Sequence, residues 1–418
     1  MLAQLRPIAA VVILGLLLGT ACKPVAPRPQ TEQTAESPVS TPDLYESGND
    51  YAEAGDYEAA IASYTQAMAL DPANAAAYIS RSSAYAALAR YDMAIDDLNA
   101  AIEINPDLPA AYVARAQLYA RIGDQDRALV DLSKALTLNP SLDSAYVERG
   151  RIFEILGDLE RAEQEYSQAV QLNPDSLNAL AARAALRAAV EDYTGALEDY
   201  SSLIGLDAKN ASAHNSRGNI YLALEDAEAA LADFSTAIEL DPSLTSAYSS
   251  RAHILSQQDD AKAALADYSS LIEQDPQNAS AYYARGNAHR EAGDVEAALA
   301  DFTRAIEIDP GLVNAISSRA RLYANGGEYA LAIADYEAVL ELQADDAAAY
   351  AGRGSAYAEL GDIELALDDL NHALELDPNL TSAYLSRAHT AAKLEDYTQA
   401  SADYAKVLSL EPDNIEAL

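Results

Sequence analysis

The chain has 418 residues, half of them apolar, and its 27 basic and 66 acidic residues give a formal net charge of −39. The apolar content is enough to bury a large core. The surplus of acid disfavours nucleic acid and anionic lipid headgroups as partners, because both are bound through Lys and Arg. Two explanations of the charge stay open, namely solubility of the chain and recruitment of a basic partner.

The first segment of the chain is predicted to be an export signal. Arg6 precedes an apolar run over residues 8–18 that is too short to span a bilayer, and small residues follow at 19–21. They end at Cys22, the single cysteine of the chain. Small residues ending in Cys resemble the lipobox of bacterial lipoproteins, although the usual Leu three residues before the Cys is Gly here.

This resemblance implies that residues 1–21 are a lipoprotein signal peptide that is removed. Cys22 would then carry a diacylglyceryl group and fatty acyl chains such as palmitate, and would anchor the exported protein to a bacterial cell membrane. The sequence does not indicate which membrane this is. The alternative is an ordinary signal peptide and a secreted protein with a free thiol. Residues 22–40 are rich in Pro, Thr, Ser and Gln, which predicts a disordered tether.

A 34-residue period organises the rest of the chain. An acidic or amide residue followed by Pro recurs at intervals of 34 residues or a multiple of 34, from Asp71-Pro72 to Glu411-Pro412. The period defines eleven repeats over residues 41–414, with a short tail at 415–418. The repeats begin at Thr41, Ala75, Pro109, Asp143, Leu177, Ala211, Thr245, Ala279, Val313, Ala347 and Thr381.

Each repeat has the pattern of two amphipathic helices. Apolar residues recur at three- and four-residue spacings over positions 2–14 and 18–30 of the repeat, Gly-Asp is common at positions 15–16, and Pro at position 32 ends the second helix. Position 8 is always small and position 20 is always Ala, so the two helices can approach closely. Aromatic residues favour positions 4, 11, 17 and 24, where they fill the remaining space.

This order of aromatic, small residue, Tyr, Ala, aromatic and Pro resembles the tetratricopeptide repeat. The resemblance implies an all-α fold, a right-handed superhelical α-solenoid of eleven helix-turn-helix repeats, whose first helices line a concave groove. It also implies a protein that binds other proteins or peptides and is not an enzyme. In agreement, the sequence has no helical His pair, no cysteine-based metal site and no phosphate-binding loop, so we expect no cofactor, metal or catalytic residue.

Two features are specific to this chain. Position 7, commonly Leu in the family, is Arg in ten repeats, and position 23 is acidic in the same ten. The first repeat lacks both, with Ser47 and Ser63 there, so we predict a partly buried Arg–carboxylate pair within each of the ten repeats. From the fourth repeat on, Gly alternates with Ala at position 8, in step with Ala and Leu or Val at position 27.

The predicted partner-binding surface is the groove face of the sixth to ninth repeats. In the family, positions 2, 5, 6, 9, 12 and 13 point into the groove. Amide, ring and guanidinium groups at these positions can bind a peptide, whereas the second, third and fifth repeats carry plainer side chains there, many of them Ala. Polar side chains that are merely solvated are the alternative. The candidate residues are Asn215, Asn219, Ser249, His253, Tyr283, Asn287, Arg290, Arg321 and Asn325.

These features together predict a membrane-anchored scaffold that binds protein or peptide partners along its groove, in the assembly of cell-envelope complexes. A self-associating spacer without a dedicated ligand is the alternative. The last helix is expected to leave Tyr404, Val407, Leu408 and Leu410 poorly covered, because no further repeat packs on them. Either residues 415–418 cover this edge or another molecule packs there, and we expect a contact, of which end-to-end self-association is one form.

Overall fold

The computed structural model describes residues 41–258 and 260–417. In this part of the chain there are 22 α-helices and no strand, so the predicted all-α repeat solenoid is confirmed. None of these helices is long and apolar enough to cross a membrane. The predicted signal peptide, lipidated Cys22 and tether lie outside the described residues.

The chain divides into two compact blocks, Met1–Pro106 and Asp107–Leu418. The N-terminal block contains α1 (Thr41–Glu53), α2 (Tyr57–Leu70), α3 (Ala75–Ala87) and α4 (Tyr91–Ile104). The C-terminal block contains α5 (Pro109–Arg121), α6 (Gln125–Leu138), α7 (Asp143–Ile155), α8 (Leu159–Leu172), α9 (Leu177–Ala189), α10 (Tyr193–Leu206), α11 (Ala211–Ala223), α12 (Ala227–Leu240), α13 (Thr245–Gln257), α14 (Ala261–Gln274), α15 (Ala279–Glu291), α16 (Val295–Ile308), α17 (Val313–Asn325), α18 (Tyr329–Leu342), α19 (Ala347–Leu360), α20 (Ile363–Leu376), α21 (Thr381–Lys393) and α22 (Tyr397–Leu410).

The odd-numbered helices are the first helices of the repeats and the even-numbered ones are the second helices. Every first helix begins at the residue at which the 34-residue period begins, and every second helix ends two residues before the position of the recurring Pro. The turn between them depends on position 15, where Gly55 takes a left-handed backbone (φ 79°). Asp56 then caps α2, its Oδ1 accepting from the backbone N of Ala59 at 3.1 Å.

The alternation at position 8 corresponds to two ways of packing the ring at position 24. In the Gly-type repeats (Gly150, Gly218, Gly286 and Gly354) the ring or Leu lies against that glycine. A Cβ on Gly150 would come within 2.6 Å of Tyr166, whose ring is fully buried. The Tyr166 hydroxyl donates to Glu154 Oε2 of its own repeat at 2.8 Å. Position 27 is Ala in these repeats, since the ring fills the space.

In the Ala-type repeats (Ala184, Ala252, Ala320 and Ala388) the tip of the ring points elsewhere. Position 8 carries a methyl group there, and position 27 carries a buried Leu or Val instead of Ala. Burial raises the pKa of the Tyr200 hydroxyl while the neighbouring Ser216 side chain lowers it, and Tyr336 lies against Gly352, where a Cβ would be 2.3 Å from the Tyr336 Cζ. Both partners belong to the next repeat. The 68-residue alternation is therefore an alternation of packing.

Gly150→Ala should lower the free energy of unfolding by about 1–3 kcal/mol, because the added methyl group overpacks against Tyr166. The matched control is Gly205→Ala on α10, where an added Cβ has nothing within 4 Å. Helix propensity predicts a gain of about 0.8–1 kcal/mol there. Urea denaturation followed by circular dichroism measures both changes. Equal effects at the two sites would show that position 8 is not tightly packed.

The last helix is better covered than the sequence predicts. Val407 is fully buried, while Tyr404, Leu408 and Leu410 are half-buried. Position 27 is buried in the preceding repeats as well, at Val339 for example, so this side chain packs within the helix pair and not toward the next repeat. The prediction that Val407 lacks cover is therefore wrong.

Candidate functional site

The predicted Arg–carboxylate pairs are confirmed. In the sixth repeat, Arg217 Nε donates to Asp233 Oδ2 at 2.7 Å and Nη2 donates to Oδ1 at 2.8 Å. The same two-bond geometry joins positions 7 and 23 in eight other repeats, and we call these residues the arginine–acid ladder. Its other two-bond pairs are Arg81–Asp97, Arg115–Asp131, Arg183–Asp199, Arg251–Asp267, Arg285–Asp301, Arg319–Asp335, Arg353–Asp369 and Arg387–Asp403.

The ladder is shielded from solvent. The side chain of Asp233 is 7% exposed and that of Arg217 is 20% exposed, with the Tyr221 ring 5.8 Å from the guanidinium carbon. His214 Nδ1 also lies 3.1 Å from Asp233 Oδ1. The hydrogen bonds to Asp233 raise the pKa of Arg217, although burial acts in the opposite direction. Each ladder arginine is paired with an acid of its own repeat and is not available to a ligand. The ladder is therefore structural.

The ladder also connects successive repeats, which sequence reasoning missed. Arg217 Nη1 donates to the Ser201 Oγ of the fifth repeat at 3.1 Å. The available signal was a Ser, Thr or Asn at position 25 of most repeats. Equivalent bonds are Arg81–Thr65, Arg183–Ser167, Arg251–Ser235, Arg285–Ser269, Arg319–Thr303 and Arg387–Asn371.

The fourth repeat departs from this geometry because its acid is Glu165 and not Asp. Arg149 Nη2 lies 2.9 Å from Glu165 Oε2, but the pair does not form the two parallel bonds. Arg149 Nε and Glu165 Oε2 are buried without a hydrogen bond. The extra methylene of Glu thus moves the carboxylate out of register with the guanidinium.

Glu165→Asp should therefore raise the free energy of unfolding by about 1 kcal/mol, because two buried polar atoms gain partners. The mirror change is Asp199→Glu in the fifth repeat, which should lower it by a similar amount. Thermal and urea denaturation of the two variants beside the unchanged chain measure both shifts. A destabilised Glu165→Asp protein would mean that the surroundings of Arg149 fit Glu better.

The nine predicted groove residues lie on four successive first helices, α11, α13, α15 and α17. Six have exposed side chains, namely Asn219, Ser249, His253, Arg290, Arg321 and Asn325, and three are half-buried, namely Asn215, Tyr283 and Asn287. They form a polar surface along consecutive repeats of the C-terminal block. We call this the groove surface.

Two of these residues are already bonded to the neighbouring first helix. Asn215 Nδ2 donates to Ser246 Oγ and Ser250 Oγ donates to Asn219 Oδ1, each at 3.2 Å. Both bonds join residues 31 apart. The same separation joins Gln117 to Glu148 and Ser355 to Ser386. Residues i and i+31 therefore lie side by side on adjacent first helices, a register that the repeat period alone did not reveal.

The other groove residues differ in how far their polar groups are used. His253 Nε2 bonds Gln257 at 3.1 Å, and Tyr283 packs its ring 5.9 Å from that of Phe302. Within the described part of the chain, the side chains of Ser249, Asn287 and Asn325 make no hydrogen bond. Their donors and acceptors are free for another molecule. Ser249 and Asn325 are also exposed, which makes them accessible.

A second polar surface lies between α19 and α21, outside the predicted set. A cavity of about 470 Å³ is lined there by Ser355, Glu359, His389 and Tyr404, among others. Lys393 Nζ donates to Glu359 Oε1 at 2.8 Å, so the charge of Glu359 in this cavity is already partly neutralised. In the residues that the structure describes, no group of His, Cys, Asp and Glu side chains could hold a metal ion.

Several solved structures are similar to this chain in fold. YrrB, described as a TPR protein with an unusual peptide-binding site, is 24% identical, with a TM-score of 0.41 over 45% of this chain and 97% of its own. The Cut9–Hcn1 hetero-tetramer of APC/C is 15% identical, with a TM-score of 0.44 over 92% and 95%. Yeast Tom70 is 16% identical, with a TM-score of 0.38 over 90% and 93%. No curated protein matches the sequence.

Sequence models of one repeat family match most of the chain. Models described as tetratricopeptide repeat match residues 75–108, 113–176, 211–244, 250–313, 314–346, 347–380 and 381–414, and one described as TPR repeat matches residues 48–88. The matched segments together span well over half of the sequence and carry the helix pairs described above. The chain therefore belongs to the tetratricopeptide repeat family.

Proposed function

We propose that this protein is an exported scaffold that binds protein or peptide segments along the groove surface of its sixth to ninth repeats. Lipidation of Cys22 would hold it on a bacterial membrane, where it would serve the assembly of envelope complexes. The observation that carries the proposal is the set of polar side chains on α13, α15 and α17 that the protein itself leaves unused. Members of this family are typically protein-interaction scaffolds.

The chemistry of these side chains suits an extended peptide. The amides of Asn287 and Asn325 each offer a donor and an acceptor, which matches the N–H and C=O groups of a peptide backbone. Tyr283 adds a half-buried ring whose position is fixed by Phe302, so little side-chain freedom is lost on binding. The ladder pairs hold α13, α15 and α17 against the second helices of their own repeats before a ligand binds.

Site-specific photo-crosslinking in cells tests the proposal. A photoreactive residue at Asn287 should yield an adduct with another protein. The same residue at Glu296, exposed on the second helix α16 of the same repeat, should not. Adducts at both positions, or at neither, would contradict binding at the groove surface. An adduct that contains only a second copy of the chain would favour the self-associating spacer instead.

A further inference from the structure

Two arginines of the groove surface lie in the side-by-side register. Arg290 on α15 and Arg321 on α17 are 31 residues apart, the separation at which four side-chain hydrogen bonds join adjacent first helices of the same block. Both arginines are exposed. The register therefore places the two arginines at adjacent positions, at the junction of the eighth and ninth repeats.

Neither charge is neutralised in the way that the ladder arginines are. Arg290 Nη2 lies 3.3 Å from Glu291 Oε1, but Glu291 Oε2 accepts from Ser256 Oγ of α13 at 3.0 Å, on the side away from α17. Arg321 makes one long hydrogen bond, from Nη2 to Ser318 Oγ at 3.5 Å, and it lies near the Tyr336 hydroxyl, whose pKa is raised by burial and lowered to a smaller extent by Arg321. Among the described residues, no carboxylate lies within ion-pair distance of Arg321. Two neighbouring like charges, of which only Arg290 contacts an acid, are unfavourable unless an anion joins them.

The neighbours of this pair supply no second acid. The residue 31 positions after Arg321 is Gly352, and the Tyr336 ring lies against it, so a neutral ring and not a carboxylate occupies that side. The unused amide of Asn287 occupies on α15 the position that Arg321 occupies on α17. At the corresponding junctions two repeats away in each direction, Asn219 bonds Ser250 and Ser355 bonds Ser386. The equivalent Asn287 and Ser318 make no bond with each other.

We infer that Arg290 and Arg321 together bind the carboxylate of an Asp or Glu side chain in a partner peptide, which makes an acidic residue part of what the groove surface recognises. The inference rests on the proposed peptide-binding function. A guanidinium fork matches a carboxylate with two parallel bonds. Because the protein carries a net charge of −39, its long-range repulsion grows with the charge of the ligand, which favours a single carboxylate over a phosphate or a polyanion.

Selection of random peptides displayed on phage against the full-length protein tests this. Display as an internal segment removes the peptide's own C-terminal carboxylate from the comparison. Selected peptides should share an Asp or Glu. One of them, made with blocked ends, should lose binding roughly tenfold when that residue becomes Asn or Gln. Arg290→Gln and Arg321→Gln should cause similar losses, and these should not add to the loss from the peptide change.

The control is Arg304→Gln on the second helix α16, where Arg304 Nη1 pairs with Glu307 Oε2 at 3.0 Å outside the groove surface. It should leave binding unchanged. If the unaltered protein selects no peptide, the proposed function fails and this inference with it. If peptides bind but the Gln variants bind them equally well, only this inference is overturned. Tighter binding of a phosphoserine version would overturn the choice of carboxylate.

Discussion

Asp233→Leu should lower the free energy of unfolding by about 3 kcal/mol or more, the largest loss that we expect from a single substitution in the ladder. It leaves the mostly buried guanidinium of Arg217 without either carboxylate oxygen and removes the oxygen that faces His214. Arg217→Leu leaves a carboxylate that is only 7% exposed, so a similar cost follows. The double variant should cost less than the sum, because it leaves neither charge behind.

A repeat array need not unfold in one step, so a local readout is required beside urea denaturation. Hydrogen exchange of the amides of α11 and α12 reports on the sixth repeat directly. The control is Arg304→Leu, which breaks an ion pair with both side chains more than 40% exposed and should change stability by at most about 1 kcal/mol. Additive effects at Arg217 and Asp233 would mean that the two side chains do not meet in solution.

Cys22→Ser should move the protein from the membrane fraction to the soluble fraction of bacterial cells. Buried acyl chains contribute about 0.8 kcal/mol per CH₂, and two or more chains give stable anchoring, so loss of the modified thiol removes nearly all attachment. Cell fractionation with mass determination of the mature protein measures both the location and the lipid. Since Cys22 is the single cysteine, no second thiol can substitute for it.

The control for this experiment is a conservative change in the tether, such as Ser37→Ala, which should leave the protein in the membrane fraction. An unaltered protein that is already soluble and carries no lipid would contradict anchoring through Cys22. It would favour the ordinary signal peptide, with the thiol left free.

Most of the fold could be predicted because the 34-residue period fixes where each helix begins. The ladder was also predictable, since Ser47 and Ser63 are the exceptions at positions 7 and 23 of the same repeat. The burial of Val407 could not be predicted, because the period indicates which positions are apolar but not whether a side chain faces its own repeat or the next one. The departure at Glu165 needs side-chain geometry, as one methylene decides between two bonds and a misaligned contact.

The sequence predicts which helices carry the candidate groove residues, but not which of their side chains are already hydrogen-bonded. All nine candidate residues lie on first helices, yet Asn215 and Asn219 are bonded to the next repeat while Asn287 is not. That difference depends on the lateral register of adjacent first helices, which only coordinates supply. The bond from the ladder to Ser201 was missed because it depends on how a second helix, α10, lies against the first helix of the next repeat.

The direction of the rings at position 24 also bears on how the C-terminal block deforms. Tyr200 and Tyr336 reach forward into the sixth and tenth repeats, so the fifth and sixth, and likewise the ninth and tenth, are clamped together. The junctions between such pairs lack this ring contact, so we expect them to be the more flexible ones. The expected flexibility of the junctions between repeats would then vary with a period of 68 residues instead of 34. Arg290 and Arg321 lie on the two sides of one such junction. A ligand bound to both arginines would therefore reduce its flexibility.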